Sequence, residues 1–354
     1  MVQTLSAFHK DVTYFEQPGA GHWWDVSDEP GADCVDWQPL FEFFAHHALP
    51  AEEMVRQVDF TTADPGVSAW CHWAGIIGQA HRLNPSSVRV RLDPGQRRYS
   101  GTTENVAMLA IRCTNLSAEG PLKVELDGQK LDNLPYPTTP DKTLWLARIG
   151  RTWSVGSAPS ATDKRPERCG PFKQAFRNRM VFVYGTQGTS DENAWSLAKA
   201  RYDAEGFWYR GNGSIDVVAD TAFDANREKD RNVILYGNAD TNAAWRSLLA
   251  DSPIQVSRAH ITAGAQNLTG EDLACLFLRP RPGSAHASVG VVSGSGLTGM
   301  RLTDRLPYFV SGVEYPDYLI LTPDTLTSGI SGVRLAGFFG PDWTLPTGEF
   351  LAGP

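Results

Sequence analysis

MVFVYGTQGTSDENAWSLAKARYDAEGFW, residues 180–208, carries both periodicities of an α/β protein in one line. Met180 to Thr186 is a short apolar run closed by Gly185 and a polar turn, the pattern of a strand buried on both faces. Ser190 then supplies a helix N-cap, Asp191 and Glu192 suit the positive end of the helix dipole, and a helix is predicted through Trp208. NVILYGNADTNAAWRSLLAD (232–251) repeats the design: strand, Tyr-Gly, polar turn, and a Trp-bearing helix with Asp240 or Thr241 as its cap. No fixed period continues, so two related βα units are expected rather than a solenoid. Further strands are predicted at IDVVAD (215–220), DLACLFLRP (272–280), SVGVVSG (288–294) and YLILTPD (318–324). Strands alternating with helices predict a mostly parallel, three-layer α/β domain of Rossmann or flavodoxin type over 172–346.

Upstream the pattern changes. Residues 158–171 are polar and Pro-containing and read as a linker. Residues 55–157 are built of short alternating runs: Val88, Val90 and Leu92 on one face, Arg89 and Arg91 on the other. VAMLAIRC (106–113) is another strand, and Asp127-Gly128 inside KVELDGQKL (123–131) is a hairpin turn signal. With no helical pattern between them, these strands predict an Ig-like β-sandwich. Residues 1–50 are a third zone. DVTYFEQ (11–17) reads as a strand, a Gly-rich turn follows, and DWQPLFEFFAHHAL (36–49) reads as an amphipathic helix with Leu40, Phe41, Phe44 and Leu49 on its apolar side. That zone is too small to bury a core of its own. The expected fold class is therefore α/β plus all-β.

Composition narrows the function. The chain has 354 residues and a net charge of −8, which disfavours nucleic acid as a partner because phosphate binding needs a basic face. No run of 18 apolar residues predicts a membrane span, and the first residues have no apolar signal-peptide core. The five cysteines form no CxxC, Cys71-His72-Trp73 has no second ligand pair at metal spacing, and His46-His47 suits a helix end. No metal and no cofactor are expected.

Three places could carry chemistry. In QPGAGHWWDVSD (17–28), His22 sits between glycines and tryptophans. Such a loop can hold a general base rigidly within reach of a serine, or simply pack a structural histidine against Trp23 and Trp24. The strand-end loops contain Gly185, Thr186 and Gly188, then Asn238 and Asp240, then Ser293 and Ser295. Ligands bind beyond the carboxyl ends of strands in open parallel sheets, and backbone amides there favour anions; the same residue types also make ordinary βα turns. RYDAEGFWYRGNGS (201–214) concentrates aromatics with Arg210, either as a sugar- or peptide-binding surface or as packing against the sheet.

Residues 11–50, DVTYFEQPGAGHWWD…DCVDWQPLFEFF, resemble the end of the catalytic domain in bacterial prolyl-oligopeptidase-type and esterase-like α/β hydrolases, where a strand leads into Gly-x-Gly-His-Trp-Trp and then Asp-Trp-x-Pro-x-Phe-x-Phe. FTTADPGVSAWCHW and VFVYGTQGT…ARYDAEGFWYRGNGS…RNVILYGNADTNAAW are similar to β-rich and α/β segments that follow that domain in larger members. The resemblance implies serine hydrolase chemistry on peptide or ester bonds, with His22 as general base. The family's Gly-x-Ser-x-Gly elbow lies upstream of its histidine, and none occurs in these 354 residues. The chain alone is therefore expected to be inactive, needing an N-terminal hydrolase portion or a neighbouring chain. The rival reading is a non-catalytic binding or scaffolding protein whose β-sandwich and α/β domain recognise a partner or polymer such as a carbohydrate. If the hydrolase reading holds, the apolar face of 36–49 should stand bare unless another chain covers it.

Overall fold

A computed structural model describes residues 2–28 and 30–352. The chain divides into two compact units, Met1–Val55 and Arg56–Pro354.

The first unit holds two short helices, α1 (Val2–Phe8) and α2 (Gln38–Ala45). Residues 9–17 carry no regular secondary structure, so the strand expected over 11–17 does not form. A strand exists only where a neighbour takes its hydrogen bonds, and no sheet forms among the described residues of this unit. α2 forms within the predicted 36–49 but is only eight residues long and buries none of them. A helix that short is marginal without packing. Local ties shape the rest. Phe15 stacks on Trp37 at 4.9 Å and tilts against Trp24 at 5.9 Å. Asp33 accepts from Val26 N at 2.9 Å, Ser27 N at 2.8 Å and Ser27 Oγ at 2.6 Å, and these donors, the Ser27 hydroxyl foremost, hold its carboxyl below the usual range.

The second unit begins with ten strands: β1 (Gln57–Thr62), β2 (Trp70–Cys71), β3 (Ala74–Gln79), β4 (Ser86–Asp93), β5 (Arg98–Glu104), β6 (Val106–Arg112), β7 (Leu122–Leu126), β8 (Gln129–Leu134), β9 (Thr143–Ile149) and β10 (Thr152–Val155). They form two five-stranded sheets, ordered β1-β4-β5-β7-β8 and β10-β9-β6-β3-β2. Alternation decides the buried faces: Val88, Val90 and Leu92 of β4 and Leu122, Val124 and Leu126 of β7 are buried, while Arg89 and Arg91 point out. The predicted hairpin turns at Asp127 (φ 51°) and Gly128 (φ 83°), the paired positive φ values of a type I′ turn. Asp127 also accepts from Thr103 N at 2.7 Å and Trp153 Nε1 at 2.9 Å, tying the two sheets together through one side chain.

The remaining elements are β11 (Met180–Tyr184), α3 (Ser190–Gly211), β12 (Asp216–Ala219), β13 (Asn232–Tyr236), α4 (Trp245–Leu249), β14 (Ile254–Ser257), β15 (His260–Ala263), β16 (Gln266–Thr269), β17 (Ala274–Pro280), β18 (Ser288–Gly294), α5 (Leu297–Leu302), β19 (Tyr318–Leu321), α6 (Thr325–Ser328), β20 (Val333–Phe338) and β21 (Glu349–Ala352). Strands β14–β16 make a small antiparallel sheet. The large sheet has eight strands in the order β12-β11-β13-β18-β17-β19-β20-β21. Pairings among β12, β11, β13 and β18 are parallel, and every pairing from β18 through β21 is antiparallel. The sheet is thus mixed, and the mostly parallel sheet expected from the alternating pattern is only half present. The cause is loop length. Residues 281–287 are all that separate β17 from β18, and a parallel crossover needs a dozen residues or more.

Three smaller expectations change. The cap of α3 is Thr189, not Ser190: its hydroxyl accepts from Glu192 N while the Glu192 carboxylate accepts from Thr189 N at 2.7 Å, a capping box. Neither Asp240 nor Thr241 caps α4, which starts only at Trp245; Thr241 Oγ1 instead accepts from Asn238 N at 2.8 Å and Asp240 Oδ2 from Arg258 N at 2.8 Å. The 158–171 segment is no free linker. Arg168 is fully buried, its guanidinium donating to the carbonyls of Ser284 and Ala287 at 2.9 Å each, and Cys169 is buried beside it.

Candidate functional site

His22 lies on an exposed turn of the first unit. Gly19 takes φ 73°, a left-handed conformation, and no atom stands within 4 Å of where a Cβ at Gly21 would be, so the loop turns freely around the histidine. The ring meets Trp23 edge to face at 5.5 Å, and Trp23 itself is 71% exposed. Among the described residues no carboxylate or hydroxyl hydrogen-bonds His22.

The histidine that does hold a carboxylate is His47, which sequence reasoning treated only as a helix end. Its Nε2 lies 2.7 Å from Asp11 Oδ2, its Nδ1 meets the Phe43 carbonyl, and its ring stacks on Phe43 at 3.9 Å. The Phe43 carbonyl first, then Asp11, raise its pKa above the ordinary histidine value. A raised folded value means the protonated ring favours the fold, an effect present in acid and lost as pH rises through that value. Asp11→Asn is expected to move the His47 NMR titration midpoint toward the ordinary value. An unchanged His47 midpoint would disprove the pairing.

The strand-end loops do come together at one end of the large sheet, but they close on each other. Buried Asp220 accepts from Thr186 Oγ1 at 2.6 Å, Thr186 N at 3.2 Å, Thr221 N at 2.8 Å and Ala243 N at 2.6 Å, joining the ends of β11, β12 and β13. Gly185 N donates to Ser196 Oγ at 2.8 Å, and Gly188 N to Asn193 Oδ1 at 2.8 Å. Fully buried Asn238 donates to the Gly294 carbonyl at 2.9 Å and accepts from Asp240 N at 3.0 Å. Ser295 donates to the Gly270 carbonyl at 2.6 Å, while the buried Ser293 hydroxyl has no partner. Donors that would greet an anion are mostly spent on the protein, so the loops act as the turns that a packed sheet end requires. The aromatic stretch 201–214 divides: Tyr202, Trp208 and Tyr209 are exposed, and Phe207 packs against the core.

A site that sequence reasoning missed opens within the second unit. Two clefts, of about 680 and 430 Å³, share Arg82, Phe338 and Glu349. The larger is walled by Val67, Leu83, Tyr315 and Phe350. Arg82 donates to Gln79 Oε1 at 3.1 Å, pairs with Asp64 at 3.6 Å and lies 5.5 Å over the Phe338 ring. Glu349 clamps the neighbouring turn, accepting from Arg82 N at 2.8 Å and meeting His81 Nδ1 at 2.7 Å. The buried Arg82 Nε has no hydrogen-bond partner among the described residues. An apolar hollow with a few convergent charges is the common form of a small-molecule site. Cys169 lines the smaller cleft, and burial pushes its thiol up to about 11, which disfavours the thiolate. No motif signals this site, because residues that meet in it, such as Arg82 and Glu349, lie 267 positions apart along the chain.

Among the described residues no group of three or more His, Cys, Asp or Glu is placed to hold a metal, and no helix is long and apolar enough to cross a membrane. No protein-family model matches the chain. It is 21% identical over 354 residues to a protein of the fungus Arthroderma benhamiae described as an uncharacterized secreted protein. That similarity covers 96% of this chain and 36% of the relative, so the chain spans little more than a third of the protein it matches.

Proposed function

We propose that the chain carries the histidine segment of a serine hydrolase of the prolyl-oligopeptidase type, acting on peptide or ester bonds by acyl transfer to water. His22 is the general base in this reading. It takes the proton of a serine held on a hydrolase body outside these 354 residues and returns it to the leaving group. One observation carries the proposal: from residue 2 to 54 no described residue is buried, and Trp23, Phe41 and Phe44 (71, 54 and 59% exposed) stand open around the histidine loop and along α2. So much bare aromatic surface fits a segment that packs into a larger body. The greater length of the fungal relative, and its description as secreted, are consistent with an exported multidomain enzyme. The finer fold assignment goes with this reading: an Ig-like sandwich, and a Rossmann- or flavodoxin-like three-layer body supported by the parallel strands β12, β11, β13 and β18.

The purified chain is expected to show no fluorophosphonate labelling and no His22-dependent turnover of an activated ester. Joined to a segment encoded in phase upstream of Met1 and bearing Gly-x-Ser-x-Gly, it should hydrolyse esters or peptides, with His22→Ala lowering kcat by about 10³-fold or more. Absence of any such frame, or full activity in the alanine variant, defeats the proposal. The second reading, a binding or scaffolding protein, draws on the apolar cleft at Arg82, whose roughly 680 Å³ suits a peptide side chain or a sugar unit.

A further inference from the structure

On the outer face of the first sandwich sheet, Arg56, Arg91 and Arg98 line one cleft of about 570 Å³, together with Asp93, Gln96 and Ser100. The sheet register explains the convergence. Arg91 pairs with Ser100 across β4 and β5, and Arg98 pairs with Asp93, so the two arginines are diagonal neighbours on one face. The Arg56 carbonyl accepts from Leu92 N at 2.8 Å, which anchors the third arginine beside them. Lys123 of β7 lies opposite Arg98 and adds to the positive edge.

Nearby arginines are spent. Arg89, two residues before Arg91 and on the same face, donates to Asp59 at 3.1 Å. Arg97 donates to the carbonyls of Ser117, Gly120 and Pro121. The guanidinium groups of Arg56, Arg91 and Arg98 have no hydrogen-bond or ion-pair partner among the described residues. The carboxylate in the cleft, Asp93, accepts from Gln96 N at 3.1 Å and lies beyond ion-pair distance of all three. In a chain of net charge −8, three guanidiniums thus face one hollow whose lining holds a single carboxylate, Asp93, with Glu125 opposite Ser100 on the neighbouring strand.

We propose that this cleft binds a phosphoryl-type tetrahedral dianion, with Arg56, Arg91 and Arg98 as its ligands and the Ser100 hydroxyl as a further donor. Guanidinium forks match the oxygens of such a group, and three of them suit its three or four oxygens better than the two of a carboxylate. The anion is either free phosphate or a phosphomonoester on a larger molecule.

Titration calorimetry on the full chain at low ionic strength tests this, using inorganic phosphate, phenyl phosphate and acetate. Saturable phosphate binding is expected. It should weaken at least tenfold in R91Q/R98Q, change less than twofold in R89Q, and fall with added salt. Acetate should bind at least tenfold more weakly. Phenyl phosphate binding more tightly than phosphate assigns the site to a phosphomonoester; equal affinities assign it to the free anion. No saturable phosphate binding, phosphate binding intact in R91Q/R98Q, or acetate binding as well as phosphate overturns the proposal. Folding of each variant is checked by its thermal transition.

Discussion

Asp317→Ala is expected to lower the free energy of unfolding by about 3–5 kcal/mol, the usual cost of stranding one member of a buried ion pair. The Asp317 side chain is fully buried. It accepts from the Lys164 ammonium and from Phe339 N at 3.0 Å, and Lys164 lies 4.9 Å over the Trp343 ring. Burial pushes the Lys164 pKa down and Asp317 opposes that shift. Without the carboxylate, the ammonium must shed its proton or draw in water, and the Phe339 amide loses its acceptor. Urea unfolding measures the loss. Asp317→Asn should lose less, because it keeps an acceptor for Phe339, and adding Lys164→Met to Asp317→Ala should recover part of the stability. The sign with pH is also determined. The folded Lys164 binds its proton less tightly than an unfolded lysine, so stability rises with pH up to the ordinary lysine value of about 10.4. Removing Asp317 should steepen that rise. A loss below about 1 kcal/mol would show that the pair contributes little.

Asp203→Ala is expected to cost a similar amount, about 3–5 kcal/mol. Asp203 lies on the buried side of α3 and gathers three donors: Lys199 Nζ at 2.9 Å, Tyr236 OH at 3.0 Å, and Tyr308 OH. Burial raises the pKa of Asp203, and Lys199 opposes it; burial also holds both phenols well above their ordinary value, so they remain donors at neutral pH. One carboxylate therefore joins α3, β13 and the segment after α5. Its loss leaves two phenols and an ammonium in the core with nothing to bond. Thermal unfolding together with near-ultraviolet circular dichroism, which reports Tyr236 and Tyr308, tests this. A near-wild-type transition with unchanged tyrosine signals would sink it. Lys199→Met should be milder, because Asp203 can then take up a proton and keep both phenols.

Legibility varied from element to element. The strand at 180–186, the alternation of β4 and the Asp127-Gly128 hairpin were visible because each depends on residues a few positions apart. The capping box between Thr189 and Glu192 went unread, because Ser190 stands one residue on and is itself a common cap. The short 281–287 connection could have shown that β17 and β18 run antiparallel; the strand and helix alternation around it masked that signal. His47 and Asp11 lie 36 positions apart and carry no motif. The strand expected at 11–17 failed for want of a neighbouring strand, which no local pattern can supply.

Two scales of physics separate what the chain states openly from what it conceals. Periodicity and turns act through bonds between near neighbours, so the strand at 180–186, the alternation of β4, the Asp127-Gly128 turn and the helix α3 were determined by the sequence by itself. Which strands became neighbours, that Lys164 would meet a carboxylate 153 residues away, and that three arginines would share a hollow while a fourth found its aspartate were decided by the tertiary structure alone. Burial makes the difference. A charge is solvated the same way at any point along an extended chain, and acquires a particular partner, or a cleft with none, only when folding takes the water away.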